Sequence, residues 1–243
     1  MSALLEIGGL TKRFGGIVAV NGCSLGVREG TITALIGPNG SGKTTLFNLV
    51  TGYLPADSGT VRFAGKPLGR ANPARVARQG LLRTFQQARI FPQLTVVENL
   101  AAAVQQPWWG AMYTRVRRGE RLLALELLEE FGLTRHVDLP ASELSYGQQK
   151  LLEFATTLMS RPRIVLLDEP AAGINPVLVE RITHRIRDLN REGMTFLVVE
   201  HDMGFVMDLS DHVVVLDHGA KIAEGPPATI QNDTAVLEAY LGA

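Results

Sequence analysis

The sequence predicts an α/β fold that contains a core of parallel strands and helices, a small antiparallel β subdomain and an inserted helical subdomain. Mostly apolar runs of strand length occur at 31–36, 163–167 and 194–199, as in strands buried on both faces of a parallel sheet. A glycine-rich loop follows the first run. The pattern turns mostly helical after about residue 88, and alternating strands and helices return after about residue 160.

These changes of pattern set the expected organisation of the chain. We expect one domain over 1–243, with a core at about 1–87 and 161–243 and a helical insertion at about 88–160. The length of 243 residues and the hydrophobic content of 46% are enough for a sizeable core.

Composition narrows the function classes. The formal net charge is zero, so nothing predicts a nucleic-acid-binding surface, and we expect no nucleic-acid partner. Cys23 is the one cysteine and cannot form an internal disulfide. No apolar run approaches the roughly 20 residues that span a bilayer, and the N terminus does not have the pattern of a signal peptide. We therefore expect a soluble protein that acts at a membrane only through a partner.

Turn signals divide the N-terminal region. Short apolar runs over 4–36 are separated by Gly15-Gly16, Asn21-Gly22 and Glu29-Gly30, which predicts several small strands. Residues 60–65 predict a further strand and turn.

Local start and stop signals predict the remaining elements. Thr95 and Glu98 have capping-box spacing, as do Ser145 and Gln148. The other predicted elements are a helix from Lys43 to about Gly52, a helix start at Asn72-Pro73, a strand at 81–85, a helix over 122–131 closed by Gly132, a helix from Asn175-Pro176 to about Glu192, and a strand at 212–216.

The glycine-rich loop has the composition of a phosphate site. It reads Gly37-Pro38-Asn39-Gly40-Ser41-Gly42-Lys43-Thr44-Thr45, the pattern G-x-x-x-x-G-K-[ST]. Glycines let the backbone wrap closely around phosphate oxygens with its N–H groups pointing inward. Lys43 can reach the β- and γ-phosphates, and the Thr44 hydroxyl can bind Mg²⁺. The loop lies between a strand and a helix, and this context predicts a P-loop NTPase core.

Two acids end a predicted strand of that core. Asp168 and Glu169 follow the apolar run 163–167, at the strand end where parallel sheets bind ligands. We expect Asp168 to hold Mg²⁺, through water, and Glu169 to polarise an attacking water.

Three other residues carry weaker signals. His201 follows the strand 194–199 and could donate toward a γ-phosphate, although a lone histidine is more often structural. Gln86 follows the strand 81–85 and could reach Mg²⁺ or the water, but a lone glutamine carries no signal. Phe14 could stack on a base, and from this residue alone ordinary strand packing is the better interpretation.

A short motif identifies the family that the chain resembles. The motif reads Leu144-Ser145-Tyr146-Gly147-Gln148-Gln149, which resembles the Leu-Ser-Gly-Gly-Gln signature of ATP-binding cassette (ABC) ATPases, with Tyr146 at the third position. The order of the motifs also resembles that family over essentially the whole chain: the phosphate loop, Gln86, the signature, Asp168-Glu169 and His201.

The resemblance implies a set of roles. It implies ATP and Mg²⁺ as ligands, adenine stacking on Phe14, and head-to-tail dimers in which the signature helix of one cassette contacts the γ-phosphate of the other. The family usually carries an Asp at the dimer seam where this chain has Asn175. The implied catalytic residues are Glu169, His201 and Gln86. The implied metal ligands are Thr44, Gln86 and Asp168. The implied nucleotide-binding residues are Phe14, Gly37, Pro38, Asn39, Gly40, Ser41, Gly42, Lys43, Thr44, Thr45, Ser145, Gly147 and Gln148.

Several local stretches resemble one branch, the ATPases of branched-chain amino acid importers. They are Arg13-Phe14-Gly15-Gly16, Ala19-Val20-Asn21, the run from Glu169 to Pro176, Glu200-His201-Asp202-Met203, the ending Ala239-Tyr240-Leu241-Gly242, and an insertion that contains Trp108-Trp109. This resemblance implies transmembrane permease subunits, a second cassette that is a copy or a paralogue, and indirectly a periplasmic or extracellular substrate-binding protein as partners. It implies a peripheral position on the cytoplasmic side of the membrane. We expect the region from Gln86 to Glu98 to dock the membrane subunits.

Other functions stay open at this point. The same ATPase could serve another cargo, such as urea, another amide, a small acid or an exported lipid. A soluble cassette for DNA repair or translation is disfavoured because the chain has one phosphate loop and a short insertion. A module without turnover is disfavoured by the presence of Lys43, Glu169 and His201.

Overall fold

The computed structural model describes residues 3–69, 72–85, 87–104 and 118–241. The chain divides into two compact units. The first unit comprises Met1–Arg83, Arg163–Glu169 and Arg187–Ala243, and the second comprises Thr84–Pro162 and Pro170–Ile186. The second unit thus contains the region predicted as an insertion, and it also takes in 170–186, which the sequence analysis assigns to the core.

Ten strands occur in the described part of the chain. They are β1 (Ala3–Phe14), β2 (Ile17–Arg28), β3 (Ile32–Ile36), β4 (Ser58–Phe63), β5 (Lys66–Pro67), β6 (Leu81–Arg83), β7 (Ile164–Asp168), β8 (Thr195–Val199), β9 (His212–Asp217) and β10 (Ala220–Gly225).

Nine α-helices occur among the same residues, with two short 3₁₀ helices at Thr134–His136 and Ala141–Glu143. The α-helices are α1 (Lys43–Val50), α2 (Pro73–Arg78), α3 (Val96–Ala102), α4 (Arg118–Glu130), α5 (Tyr146–Leu158), α6 (Pro176–Arg191), α7 (Met203–Leu209), α8 (Pro227–Ile230) and α9 (Thr234–Leu241). No helix in the described ranges combines the length and the apolar content that a bilayer crossing requires.

The first unit contains two sheets. The antiparallel sheet has the order β2-β1-β4-β5, and the larger sheet has the order β10-β9-β3-β8-β7-β6. In the larger sheet, only the β9–β10 pair is antiparallel among the described pairs. Because β3, β8 and β7 are parallel neighbours, the loops that follow them leave the sheet at one edge. This α/β architecture confirms the predicted fold class.

Two predicted boundaries in the first unit are wrong. Asn21-Gly22 is not a turn between small strands, because β2 continues through it as far as Arg28. Gly22 has a φ of 60°, and its N–H donates to Thr11 Oγ1 over 3.1 Å, where the pairing of β1 with β2 is irregular. A left-handed glycine therefore forms a bulge within a long strand. Strand β6 also ends at Arg83, two residues before the predicted limit of 81–85.

Both faces of the larger sheet are covered by apolar side chains. Strands β3, β7 and β8 are buried at every position, as the continuous apolar runs predicted. On one face, Leu35 and Leu197 belong to a cluster with Phe47 of α1. On the other face, Ala34 and Ile36 pack in a cluster with Val236 of α9. Burial of a large apolar side chain contributes roughly 1.5–3 kcal/mol to the free energy of folding, so these clusters stabilise the sheet from both faces.

The second unit is built from helices with local caps. Thr95 and Glu98 form the predicted capping box of α3, and Ser145 and Gln148 form that of α5. The rings of Phe131 and Phe154 pack edge to face with centroids 5.2 Å apart. Trp108-Trp109 and Gly242 lie outside the described residues.

Candidate nucleotide-binding site

The phosphate loop requires glycine at two of its positions for steric reasons. Gly37 and Gly42 have φ values of 147° and 100°. A Cβ on Gly37 would lie 2.0 Å from Leu216 O, and a Cβ on Gly42 would lie 2.3 Å from Ala19 O. These clashes with backbone exclude any side chain, so the loop between β3 and α1 keeps its concave backbone.

Lys43 lies inside this loop. Its Nζ donates to Gly37 O and Pro38 O over 2.8 Å and to Ser41 Oγ over 3.3 Å, and the side chain is buried. Burial lowers the pKa of Lys43, and the carboxylates of Glu169 and Asp168 oppose that shift. A buried amine held by loop carbonyls fits an anionic ligand, because a phosphate would offer the ammonium group a better acceptor.

The other residues of the phosphate loop differ in their exposure to solvent. Asn39, Gly40 and Thr44 are exposed, Pro38 and Thr45 are half-buried, and Ser41 is buried. Ser41 O accepts from Gly219 N over 3.0 Å, and this bond ties the loop to the turn between β9 and β10.

Phe14 is at the end of β1, in a hairpin that reaches the phosphate loop. Its ring is 46% exposed, and Lys12 Nζ lies 5.6 Å from the ring centroid. The next strand, β2, brings Ala19 against Gly42. An exposed ring does not support the strand-packing interpretation and leaves a flat face available to a ligand.

Asp168 ends β7 in an ion pair that was not predicted from the sequence. Asp168 Oδ2 accepts from Arg83 Nη2 over 2.5 Å, and both side chains are 4% exposed. Arg83 Nη1 also donates to Asn48 Oδ1 over 2.6 Å, and the guanidinium lies 5.3 Å from the Phe47 ring centroid. The available signal was a charged residue at the end of a short strand, but it does not identify the partner, because Arg83 reaches Asp168 only through the pairing of β6 with β7.

The donor set fits a magnesium ion that is shared with phosphate. Mg²⁺ in such sites takes one or two carboxylate or hydroxyl ligands from the protein and keeps waters or phosphate oxygens for the rest. Asp168 is close enough to Lys43 to influence its pKa, and the Thr44 hydroxyl follows Lys43 on α1. No cluster of three or more His, Cys, Asp or Glu side chains suited to a metal exists among the described residues. Gln86, the third predicted metal ligand, lies outside the described residues.

Glu169 and His201 form a hydrogen-bonded pair. Glu169 Oε1 lies 2.9 Å from His201 Nε2, which donates when it carries a proton. Glu169 has a φ of 51°, and its N–H donates to Val199 O over 2.9 Å. A left-handed conformation at a non-glycine residue costs about 1–3 kcal/mol, and such strain is concentrated at functional sites. The sequence did not predict this direct pairing, because β7 and β8 are distant in sequence.

The signature residues lie in the second unit and have packing and capping roles there. The Ser145 side chain accepts from Gln148 N, and Ser145 N donates to Gln148 Oε1 over 2.9 Å. A Cβ on Gly147 would lie 2.6 Å from Leu178 Cδ1, so this glycine allows close helix packing. Asn175 Oδ1 accepts from Leu178 N over 3.0 Å and caps the start of α6.

Comparison with known proteins gives a consistent result along the chain. The family model "ABC transporter" matches residues 20–172, and "Branched-chain amino acid ATP-binding cassette transporter" matches residues 220–243. The chain is 43% identical to the high-affinity branched-chain amino acid transport ATP-binding protein BraF of Pseudomonas aeruginosa, over 98% of each chain. It is 41% identical to the corresponding protein LivG of Escherichia coli, over 98% of each chain.

Solved structures agree with this comparison. A nucleotide-free ATP-binding cassette from an ABC transporter is 35% identical, with a TM-score of 0.88 over 100% of each chain. A dimeric ATP-binding cassette in a post-hydrolysis state, bound to ADP and phosphate, is 25% identical, with a TM-score of 0.80 over 92% of this chain and 98% of that one. The chain therefore belongs to the ABC transporter family, as one of its ATP-binding cassette ATPases.

Proposed function

We propose that this chain is the ATP-hydrolysing subunit of a membrane importer for branched-chain amino acids. The observation that carries the proposal is the identity of 41–43% over 98% of the chain to ATP-binding proteins of that transport system. The separate match at 220–243, which covers β10, α8 and α9, supports the same cargo class, because that family model is described as a branched-chain amino acid ATP-binding cassette transporter.

We assign binding of the triphosphate to the loop from Gly37 to Thr45. The backbone N–H groups and Lys43 neutralise phosphate charge, and the positive end of α1 adds to this. Phe14 receives the adenine ring on its exposed face. In the assembled dimer, Ser145, Gly147 and Gln148 bind the γ-phosphate held by the second cassette.

We assign hydrolysis to the residues at the ends of β7 and β8. The Glu169 carboxylate accepts a proton from the attacking water, and His201 Nε2 orients that carboxylate and then donates toward the γ-phosphate. Asp168, Thr44 and Gln86 would hold Mg²⁺, which would neutralise charge that develops on the phosphate oxygens. The hydrogen bond of 2.9 Å between Glu169 and His201 supports a shared role for the pair.

We propose that this chain passes its conformational change to the transport pathway through contacts with the membrane subunits. Permease subunits, a second cassette and, indirectly, a substrate-binding protein are the proposed partners, with the chain peripheral on the cytoplasmic side of the membrane. The proposed docking region from Gln86 to Glu98 includes Phe91, whose side chain is 59% exposed. Glu98 takes part in the capping box of α3, so its substitution would also affect the helix. Substitution of Phe91 is therefore the more specific test of docking.

Uptake measurements test the cargo. Cells that lack this gene should lose high-affinity uptake of leucine, isoleucine or valine, and the wild-type gene should restore it whereas Lys43→Ala should not. Normal uptake of all three amino acids in a deletion strain with no redundant system would refute the cargo assignment. Loss of urea or amide uptake instead would assign the same ATPase to the alternative cargo.

A further inference from the structure

Glu153 is a buried carboxylate on the helix that begins at the signature. It belongs to α5 and is 6% exposed. Its Oε1 accepts from two backbone N–H groups, that of Phe85 over 3.2 Å and that of Arg89 over 3.1 Å. Ser145 caps the same helix eight positions earlier, about 12 Å along the axis at 1.5 Å per residue.

The two donors lie on either side of Gln86 in the sequence. The described part of 84–95 contains no helix or strand, so its backbone N–H groups need partners of another kind. Glu153 supplies such a partner at both ends of a five-residue stretch. The Arg89 guanidinium also lies 3.5 Å from the Phe85 ring centroid, so the two donor residues contact each other as well as Glu153.

A second buried polar side chain fixes the next part of the loop independently. Asn99 Oδ1 accepts from Phe91 N over 2.7 Å, and Asn99 Nδ2 donates to Phe91 O over 3.0 Å and to Thr95 O over 2.9 Å. Asn99 belongs to α3, whereas Glu153 belongs to α5. The backbone N–H groups of Phe85 and Arg89 are therefore bonded to the signature helix, whereas that of Phe91 is bonded to α3.

Burial of Glu153 carries a cost that packing alone does not explain. The net pKa of Glu153 is raised to about 7, because the effect of burial exceeds the opposing effects of the bonds from Arg89 and Phe85 and of the charges of Lys150 and Arg89. An apolar side chain at this position would avoid that cost, and it would leave the two amides without the carboxylate.

We propose that Glu153 is a positioning residue that fixes the backbone of Phe85 and Arg89, which flank Gln86 in the sequence, to the signature helix. The proposal rests on the catalytic role proposed above for Gln86. Through Glu153, a displacement of α5 shifts the backbone at 85 and 89 together, so these two positions move with the signature helix. ATP turnover then depends on a carboxylate that does not touch nucleotide.

Amide hydrogen exchange tests the positioning without nucleotide. In Glu153→Ala at pH 8, where the wild-type carboxyl is mostly ionised, the Phe85 and Arg89 amides should exchange at least about tenfold faster, because each loses a bond to a charged acceptor. Amides within α5 should keep their protection, which shows that the helix remains folded. Glu153→Gln should give an intermediate result, since its side-chain oxygen still accepts. Glu143→Gln, at an exposed position before the signature, is the matched control and should leave both amides unchanged. Unchanged exchange at both amides in Glu153→Ala would overturn the proposal.

Steady-state kinetics with the assembled transporter test the consequence. Glu153→Ala should lower kcat about tenfold while KM for ATP stays within about twofold, because the phosphate loop is untouched. Glu153→Gln should recover part of kcat, and Glu143→Gln should match wild type. Faster exchange with unchanged kcat in Glu153→Ala would also overturn the proposal. Absence of ATPase activity in wild type would instead overturn the proposed function, and the exchange result would still decide whether Glu153 fixes the loop.

Discussion

The amine of Lys43 shows how a single side chain defines the phosphate loop. It is buried and donates to the carbonyls of Gly37 and Pro38. The loop thus holds its cation within itself, ready to exchange carbonyl acceptors for phosphate oxygens.

Lys43→Ala should abolish tight ATP binding. The variant loses the charge that offsets a desolvated triphosphate, whereas the glycines keep the loop shape. Direct titration with ATP measures the effect, and Lys66→Ala, at an exposed position of β5, is the control. Equal ATP affinity of Lys43→Ala and wild type would contradict the site assignment.

Glu169→Gln should retain ATP binding and lose hydrolysis. The amide keeps the size of the side chain but is a poor proton acceptor, and loss of a general base lowers rates about 10²–10⁴-fold. Single-turnover hydrolysis separates the two effects, with exposed Glu192→Gln as the control. A near wild-type rate in Glu169→Gln would remove this residue from the mechanism.

Arg83→Ala should destabilise the first unit. The ion pair with Asp168 is 4% exposed on both sides, and removal of one partner of a buried pair costs about 3–5 kcal/mol. Urea denaturation measures the free energy of unfolding. Arg191→Ala, which breaks the exposed pair with Asp188, should cost about 1 kcal/mol or less. Equal losses in the two variants would show that the Arg83 pair contributes little.

At the scale of elements, features that depend on neighbouring residues were predicted correctly, whereas features that depend on strand pairing were not. Both capping boxes are confirmed, because a cap depends on residues three positions apart. Asn21-Gly22 was wrongly predicted as a turn, because the conformation of Gly22 depends on the pairing of β1 with β2. Arg83 was missed for the same reason, since its partner Asp168 lies 85 positions away.

Helix α5 should carry a pH-dependent contribution from Glu153. Its pKa is about 7 in the folded protein against an ordinary value of 4.5, so the folded state binds the proton more tightly. Stability of the wild type should therefore fall as pH rises from about 4.5 to 7 and then level off, by at most about 3 kcal/mol relative to Glu153→Gln. Denaturation at pH 5 and pH 8 measures the difference, and Glu143→Gln should follow the wild-type profile. Parallel profiles for wild type and Glu153→Gln would contradict the expected shift.

At the scale of the molecule, the fold class was predictable and the roles of the two units were less so. Continuous apolar runs predicted a parallel sheet, and the sheet confirms it. The family resemblance implied that the signature helix contacts a γ-phosphate, and the structure shows in addition that Gly147 allows close packing and that Gln148 takes part in a helix cap. The sequence motif does not distinguish packing or capping from ligand binding, because the same residue can have a structural role and also bind the ligand.

Glu169→Gln should also form an ATP-dependent dimer. Without hydrolysis, two phosphate loops and two signature helices remain closed around two nucleotides, and the loss of a carboxylate reduces repulsion at the seam. A sizing column with ATP should show the dimer, and addition of Ser145→Arg should break it by placing a bulky side chain at the start of α5. An inactive, ATP-bound Glu169→Gln that stays monomeric alone and with candidate paralogues would contradict head-to-tail pairing.

The position of β3 also sets when a nascent chain acquires its site. Strand β3 is bordered by β8 and β9, whose residues are synthesised more than 150 positions later. During translation, the phosphate loop therefore leaves the ribosome long before the strands that support it, and such distant pairing is slow. A ribosome-bound chain that stops before Thr195 has neither neighbour of β3, so we expect that ATP does not protect it from proteolysis. Protection by ATP should therefore appear only after at least β8 has been synthesised.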